Sequence, residues 1–345
     1  MKKLLLASVI AFCGSAAAAE FPVDFASYGF TTNEYRLAET SIHFNHYANT
    51  LGDGVNKFTH LTELVSVESQ SVPRTNNDTL YSLAVVDTRK GASFTLPDTG
   101  ERYISATIFD EHHYPYGVIH QAGTHKLDVA TNYAFIIIRT AVNSTSQDDI
   151  NYVTGTIQPQ LSVNAISNIE YAPADYDADK LSALRDAVTK EGIKLTNFSD
   201  LYHERPESQS DTHKEWMGLI ATTVAWGIIP AAESTFIMQN PMLPADKCYN
   251  ATYEVPPHNA FWSITAYDNK SMLFSNTHSI INEDNVTFNE DNSFTVNFGS
   301  EEQCGTNINR LDTVDNFNFL FRVYKATMAE LPAYEANLPA LVPVS

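Results

Sequence analysis

The stretch "ASFTLPDTGERYISATIFD", Ala92 to Asp110, returns later in the chain as "ATYEVPPHNAFWSITAYD", Ala251 to Asp268. With one residue of gap, Pro97, Ser105, Thr107 and Asp110 fall on Pro256, Ser263, Thr265 and Asp268. Within the first copy Ser105, Thr107 and Phe109 share one face of a strand, and Ile104, Ala106 and Ile108 share the other. An apolar face backed by a mixed one suits a sandwich strand with a core on one side and a cleft on the other. The repetition predicts a duplicated β unit, with matching strand pairs over Phe94–Phe109 and Tyr253–Tyr267.

Around these copies the period stays that of strands. "LYSLAVVD" and "YAFIIIRTAV" flank the first copy, and "NVTFNEDNSFTVNFG" and "FNFLFRVYK" follow the second, with "DTRKG" and "PDTGE" as turn signals. Helical patterns stand apart: Thr32 to about Asn49, a segment capped by Asp177, and "DTHKEWMGLIATTVAWGIIP" with Thr212 and Glu215 as a capping box. The fold expected is mainly β with helices (α+β), as two antiparallel β-sandwich or jelly-roll-like domains with intervening helices. The expected division is a leader over residues 1–19, a helical segment over 20–54, a first β domain over 55–176, a helical connector over 177–240 and a second β domain over 241–345.

The leader reading rests on "MKK", the apolar "LLLASVIAF" and the small residues ending at Ala19, which together read as a secretory signal peptide. The mature protein is therefore expected in the periplasm or secreted. The formal net charge is −20. Without Lys2 and Lys3 the chain keeps 19 basic against 41 acidic residues, a balance that repels nucleic acid and anionic membrane surfaces. No later stretch is apolar enough for membrane insertion. Of three cysteines Cys13 leaves with the leader, and Cys248 and Cys304 are expected to form a disulfide.

Two polar stretches concentrate the chemistry. "RTNNDTLYS", Arg74 to Ser82, sets an arginine, two asparagines and an aspartate at the mouth of an apolar strand. "DEHHYPYGVIHQAGTH", Asp110 to His125, holds four histidines. Their spacing matches no standard zinc motif, and no metal or cofactor is expected. If the first segment enters a strand where the second leaves one, Arg74, Asn76, Asp78 and Tyr81 would meet Asp110, His112 and His113 at one sandwich rim. Histidine beside a carboxylate is the usual general acid or base near neutral pH, which makes His112, His113, Asp78 and Arg74 candidate catalytic residues. Asn76, Tyr81, Asp110, Tyr114, Trp262 and Tyr267 are candidate ligand contacts, because aromatic faces beside amides and carboxylates hold sugars and other amphipathic molecules. A purely structural clamp is the competing reading of "RTNNDTLYS".

The ordered motifs "RTNNDTLYSLAVVD", "RYISATIFDEHHY", "YAFIIIRTAV", "TTVAWGIIP" and "FWSITAYD" resemble exported bacterial proteins that pair two domains of unknown function, DUF1254 and then DUF1214. The resemblance spans about Val55 to Tyr324 and implies a two-domain, β-rich architecture without implying an activity. Where such proteins carry an N-W-L-P or C-L-P element near the end, this chain has "CGTNINRL". The function expected is binding of a small organic or carbohydrate-like ligand in a cleft, with catalysis as an added capacity. The alternatives are a periplasmic hydrolase or lyase built on His, Asp and Arg, and a structural envelope protein. Self-association stays open as a further partnership.

Overall fold

The computed structural model describes residues 21–70, 72–195, 201–205 and 211–344. The expected leader lies outside the described residues. In the first half the strands are β1 (Thr59–His60), β2 (Thr79–Asp87), β3 (Ala92–Leu96), β4 (Ile104–Asp110), β5 (Pro115–Ile119), β6 (Gly123–Leu127), β7 (Tyr133–Ala141) and β8 (Ser162–Ala165). In the second half they are β9 (Ser234–Gln239), β10 (Tyr249–Tyr253), β11 (Trp262–Tyr267), β12 (Ile280–Asn282), β13 (Phe294–Phe298), β14 (Arg310–Leu311), β15 (Asn318–Tyr324) and β16 (Val342–Pro343).

Each half stacks two sheets, of five and three strands in the first and of four and four in the second. The first half orders its strands β1-β2-β7-β4-β5 and β6-β3-β8; the second orders them β12-β11-β15-β9 and β14-β13-β10-β16. All pairings are antiparallel except β13 with β14. One apolar cluster joins the two sheets of each half: Ala84, Phe94, Ala106 and Ile136 in the first, and Tyr253, Trp262, Ile264 and Phe321 in the second.

The register shows the duplication directly. Arg139 on β7 sits opposite Tyr81 on one side and Ser105 on the other. Arg322 on β15 sits opposite Phe236 and Ser263 in the same way. The repeated strand pairs thus occupy equivalent places: β3 and β4 correspond to β10 and β11. The strand Ser234–Gln239, which the sequence reading left inside the helical connector, is the counterpart of β2.

Burial explains the strand sequences. Strands β3 and β13 alternate buried and half-buried residues because only one face of the sheet each belongs to is covered. Strands β4 and β11 are buried throughout, so their outer faces are covered as well. In the first half the cover is partly helical. The helices α1 (Thr32–Asn45), α2 (Gln147–Tyr152), α3 (Ala178–Gly192) and α4 (Thr212–Val224) include three, α1, α3 and α4, that share a core through Tyr35, Leu184 and Ile220. Phe44 of α1 and Trp226 after α4 then pack on Phe109 and Phe135 of the large sheet. Thr31 and Glu34 close α1 with a capping box, and Asp177 caps α3. Asp211, not the expected Thr212, caps α4: its side chain accepts the Lys214 N–H at 3.1 Å, and Thr212 is already the first helical residue.

Candidate functional site

The polar stretch before β2 is a clamp between the halves. Asn76 accepts from the Asp78 backbone N–H at 2.9 Å and donates to the Tyr81 hydroxyl at 3.2 Å and the Tyr324 hydroxyl at 2.9 Å. Asn77 exchanges two bonds with the Val65 backbone. The Ser263 hydroxyl donates to Asp78 Oδ2 at 2.8 Å. Arg74, at φ 53°, makes no ion pair among the described residues; its carbonyl receives Arg322 Nη2 at 2.6 Å.

Two buried arginines organise this seam. Arg322 donates to Thr265 Oγ1 at 3.1 Å, to the Thr75 carbonyl at 3.0 Å and to the Tyr267 hydroxyl at 2.7 Å. Its counterpart Arg139 donates to Thr107 Oγ1 at 3.1 Å and to the Gly227 carbonyl at 2.6 Å. The halves meet through counterparts: Tyr103 packs edge-on against Phe261 at 5.6 Å. Contact between equivalent positions is the mark of a two-fold arrangement. By the same correspondence Asp78 pairs with Glu233. The Val142 N–H donates to the Asp78 carbonyl, and the Lys325 N–H donates to the Glu233 carbonyl, each at 3.0 Å.

A cavity of about 810 Å³ opens along this seam. Asp78, Tyr103 and His120 of the first half face Phe261, Trp262 and Lys325 of the second across it. Three lining residues carry a buried polar atom without a well-formed hydrogen bond: Asp78 Oδ1, Tyr103 Oη and Trp262 Nε1. Burial raises the Asp78 carboxyl, opposed by the Arg322 charge and the Ser263 bond. Glu233 goes the other way: the bond from His120, 2.8 Å long, lowers it, with Lys325 adding to the effect. Two carboxyls in equivalent places are thus held in opposite tendencies, a condition suited to acid–base work.

The histidines expected beside Asp78 are elsewhere. Strands β2 and β4 both pair antiparallel with β7, so they run parallel to each other with β7 between them. Thr79 is level with Ile104 through Ala141 and Thr140, while Asp110 is level with Val86 through Ala134. The expectation took β2 and β4 as direct antiparallel neighbours. Instead, Asp78 and the His112–His113 turn stand at opposite ends of one sheet, about 20 Å apart at 3.3 Å per residue.

At that far end most of the side chains are already engaged, although His112 Nδ1 is buried without a hydrogen bond. His113 is buried; its Nε2 accepts the Gly227 N–H at 2.9 Å, and its Nδ1 lies 3.2 Å from Thr222 Oγ1. An Nε2 that accepts leaves a neutral ring with its proton on Nδ1, and burial holds the imidazole well below its usual range. Neither nitrogen is left for a substrate. His112 packs toward α1, where its carbonyl receives Arg36 Nη1. Asp110 accepts the backbone N–H groups of His112 and Tyr114 and an ion pair from Arg205 at 2.9 Å. Its counterpart Asp268 accepts those of Lys270 and Met272 in the same pattern, so the repeated aspartate closes a turn in both halves. Tyr114 donates to Glu215, and Tyr267 lies within the seam, donating to the Thr75 carbonyl. Trp262 stacks on Phe294 inside the second core, with its edge toward the cavity.

The sequence reading left out Glu233, Arg139, Arg322 and Lys325. The first signal for them is an arginine inside an apolar strand in both halves, "IIIRTAV" and "FLFRVYK". Cys248 and Cys304 are disulfide-bonded. Among the described residues no cluster of three His, Cys, Asp or Glu side chains is placed for a metal, and no helix is long and apolar enough to cross a membrane.

Two family models match the chain, each described as a protein of unknown function: DUF1254 over residues 55–126 and DUF1214 over residues 238–328. The VPA0106 protein from Vibrio parahaemolyticus has a similar fold, with a TM-score of 0.66 at 14% identity over 91% of this chain and 98% of its own. An uncharacterised protein from Burkholderia cenocepacia aligns with a TM-score of 0.50 at 16% identity over 88% of this chain and 92% of its own. At such identities the likeness concerns fold. No curated protein matches.

Proposed function

We propose that this paired DUF1254–DUF1214 protein binds a small hydroxylated organic molecule in the cleft between its sandwiches, with Asp78 at the floor. One observation carries the reading. Asp78 Oδ1 is buried without a partner in a residue that lines an 810 Å³ cavity. A buried acceptor left unmade costs about 1–3 kcal/mol, and a ligand hydroxyl entering the cleft would recover it. The volume suits a small organic ligand, and Tyr103 and Phe261 offer the aromatic edge such molecules pack against. Catalysis is an extension of the same site: a carboxyl raised by burial can donate a proton, as a hydrolase or lyase requires. His112 and His113 have no part in it.

Export belongs to this reading too. The leader-like residues 1–19 and the disulfide favour an oxidising compartment. The working division is 55–176 and 241–345, with Ser234–Gln239 moved to the second half.

The test is a thermal-shift and calorimetric screen of mono- and disaccharides on wild type and Asp78→Asn. Asparagine keeps an acceptor for Ser263 but removes the charge opposite Arg322, so affinities are compared at a temperature where both unliganded proteins are folded. At least one compound should stabilise wild type and bind the variant about tenfold more weakly, as expected for a hydrogen bond to a charged or acidic group. Equal binding to both proteins, or no stabilisation by any compound, would remove the proposal.

A further inference from the structure

We propose that Lys325 holds a carboxylate of the ligand at one side of the cleft, so that the site prefers a hydroxylated monoacid, such as a sugar acid, to the corresponding neutral sugar. The proposal rests on the cleft reading above and adds the chemical class of the ligand.

The backbone at Lys325 is built for this side chain. Lys325 has φ 50°, in the left-handed region that non-glycine residues seldom occupy. Its N–H donates to the Glu233 carbonyl at 3.0 Å, and its carbonyl receives the Asn259 N–H at 2.9 Å. The counterpart Val142 makes the equivalent N–H bond to Asp78 without a positive φ. The unusual turn is thus particular to the half that carries the lysine. Strain of this kind persists where surrounding contacts over-determine it, and it concentrates at ligand sites.

Lys325 lines the cavity, and among the described residues its ammonium has no ion pair within 4 Å, though its charge reaches Glu233. The ammonium lies 5.8 Å from the centre of the Tyr103 ring. The other cleft cation, Arg102, is taken by Asp149 at 2.5 Å. Among the described residues Lys90, Lys190, Lys247 and Lys270 also lack ion pairs, but all four are exposed, whereas Lys325 is half-buried. Beside it the Tyr103 hydroxyl is buried, with the Ser105 hydroxyl as its near neighbour and no well-formed hydrogen bond, in a residue only 7% exposed. Burial pushes that phenol up to about 12, so it stays a donor across the physiological range. An ammonium and a hydroxyl donor together fit one carboxylate.

The charge balance limits the anion to one unit. Asp98, Glu101 and Asp284 line the same cavity, and a dianionic phosphate would meet them with a single unpaired cation in support.

Matched pairs separate the cases: glucuronate with glucose and galacturonate with galactose, titrated calorimetrically against wild type, Lys325→Met and Lys325→Arg. The expected result is that an acid binds wild type about tenfold to a hundredfold tighter than its neutral mate. Lys325→Met should abolish that preference while still binding the neutral sugar, and Lys325→Arg should retain it. Raising salt should weaken the acid alone. If neutral members bind and acids bind no better, or if Lys325→Met keeps the preference, the carboxylate assignment fails and the cleft reading stands. If no member of either pair binds, both fail.

Discussion

Arg322 is the residue on which the seam depends. It is 2% exposed, and its guanidinium bonds two backbone carbonyls, a threonine and a tyrosine while its charge offsets that of Asp78. Removing one member of a buried charged network leaves the others uncompensated. Arg322→Met should therefore lower unfolding free energy by about 3–5 kcal/mol, read from urea denaturation; a loss below about 1 kcal/mol would mean that water enters and serves the stranded groups. At this scale the sequence was half legible. Asn76 and Asp78 read as turn-closing residues because their bonds to nearby backbone are local. Their partner Tyr324 lies 248 residues away, and no periodicity reports a contact across that separation.

The element scale shows why the histidine loop misled. "DEHHY" carries the residue types of a catalytic site, yet its turn serves to dock α4 on the large sheet. The dock is Gly227, whose N–H donates to His113 and whose carbonyl receives Arg139. Gly227 has φ 78°, and a Cβ there would stand 2.7 Å from Ile137 Cδ1. Gly227→Ala should cost about 2 kcal/mol, from the left-handed backbone alone and before any clash. An unchanged melting temperature would show that the turn relaxes freely. The long strands of the repeat were legible, because alternation and a shared Ser-x-Thr pattern are local, whereas β9 after α4 was not. Strand order was not: nothing in "LYSLAVVD" or "RYISATIFD" says that β7 lies between them, and that insertion separates Asp78 from the histidines.

Over the whole molecule, acid should loosen the helical layer first. His43 stacks on Trp226 at 4.1 Å, and burial, aided by His46 and Arg185, lowers its imidazole to about 4. Unfolded, it titrates near 6.5, so between those values the unfolded chain binds a proton that the folded one refuses. Its contribution is full above about pH 6.5 and is lost as pH falls toward 4, at up to about 1.4 kcal/mol per pH unit. His113 acts in the same sense. Asp78, raised by burial, acts oppositely and contributes most in acid. His43→Phe keeps a ring on Trp226 and should flatten the stability profile between pH 6.5 and 4.5, as followed by urea midpoints; an unaltered slope would place the acid sensitivity elsewhere.

The duplication has a consequence for ancestry. A homodimer of one such sandwich, meeting as these halves meet, could offer a ligand only identical walls. Covalent fusion releases each wall to mutate alone, and the present pairs record that freedom: Asp78 against Glu233, Tyr103 against Phe261, Val142 against Lys325. A cleft with unlike walls can tell the head of a molecule from its tail.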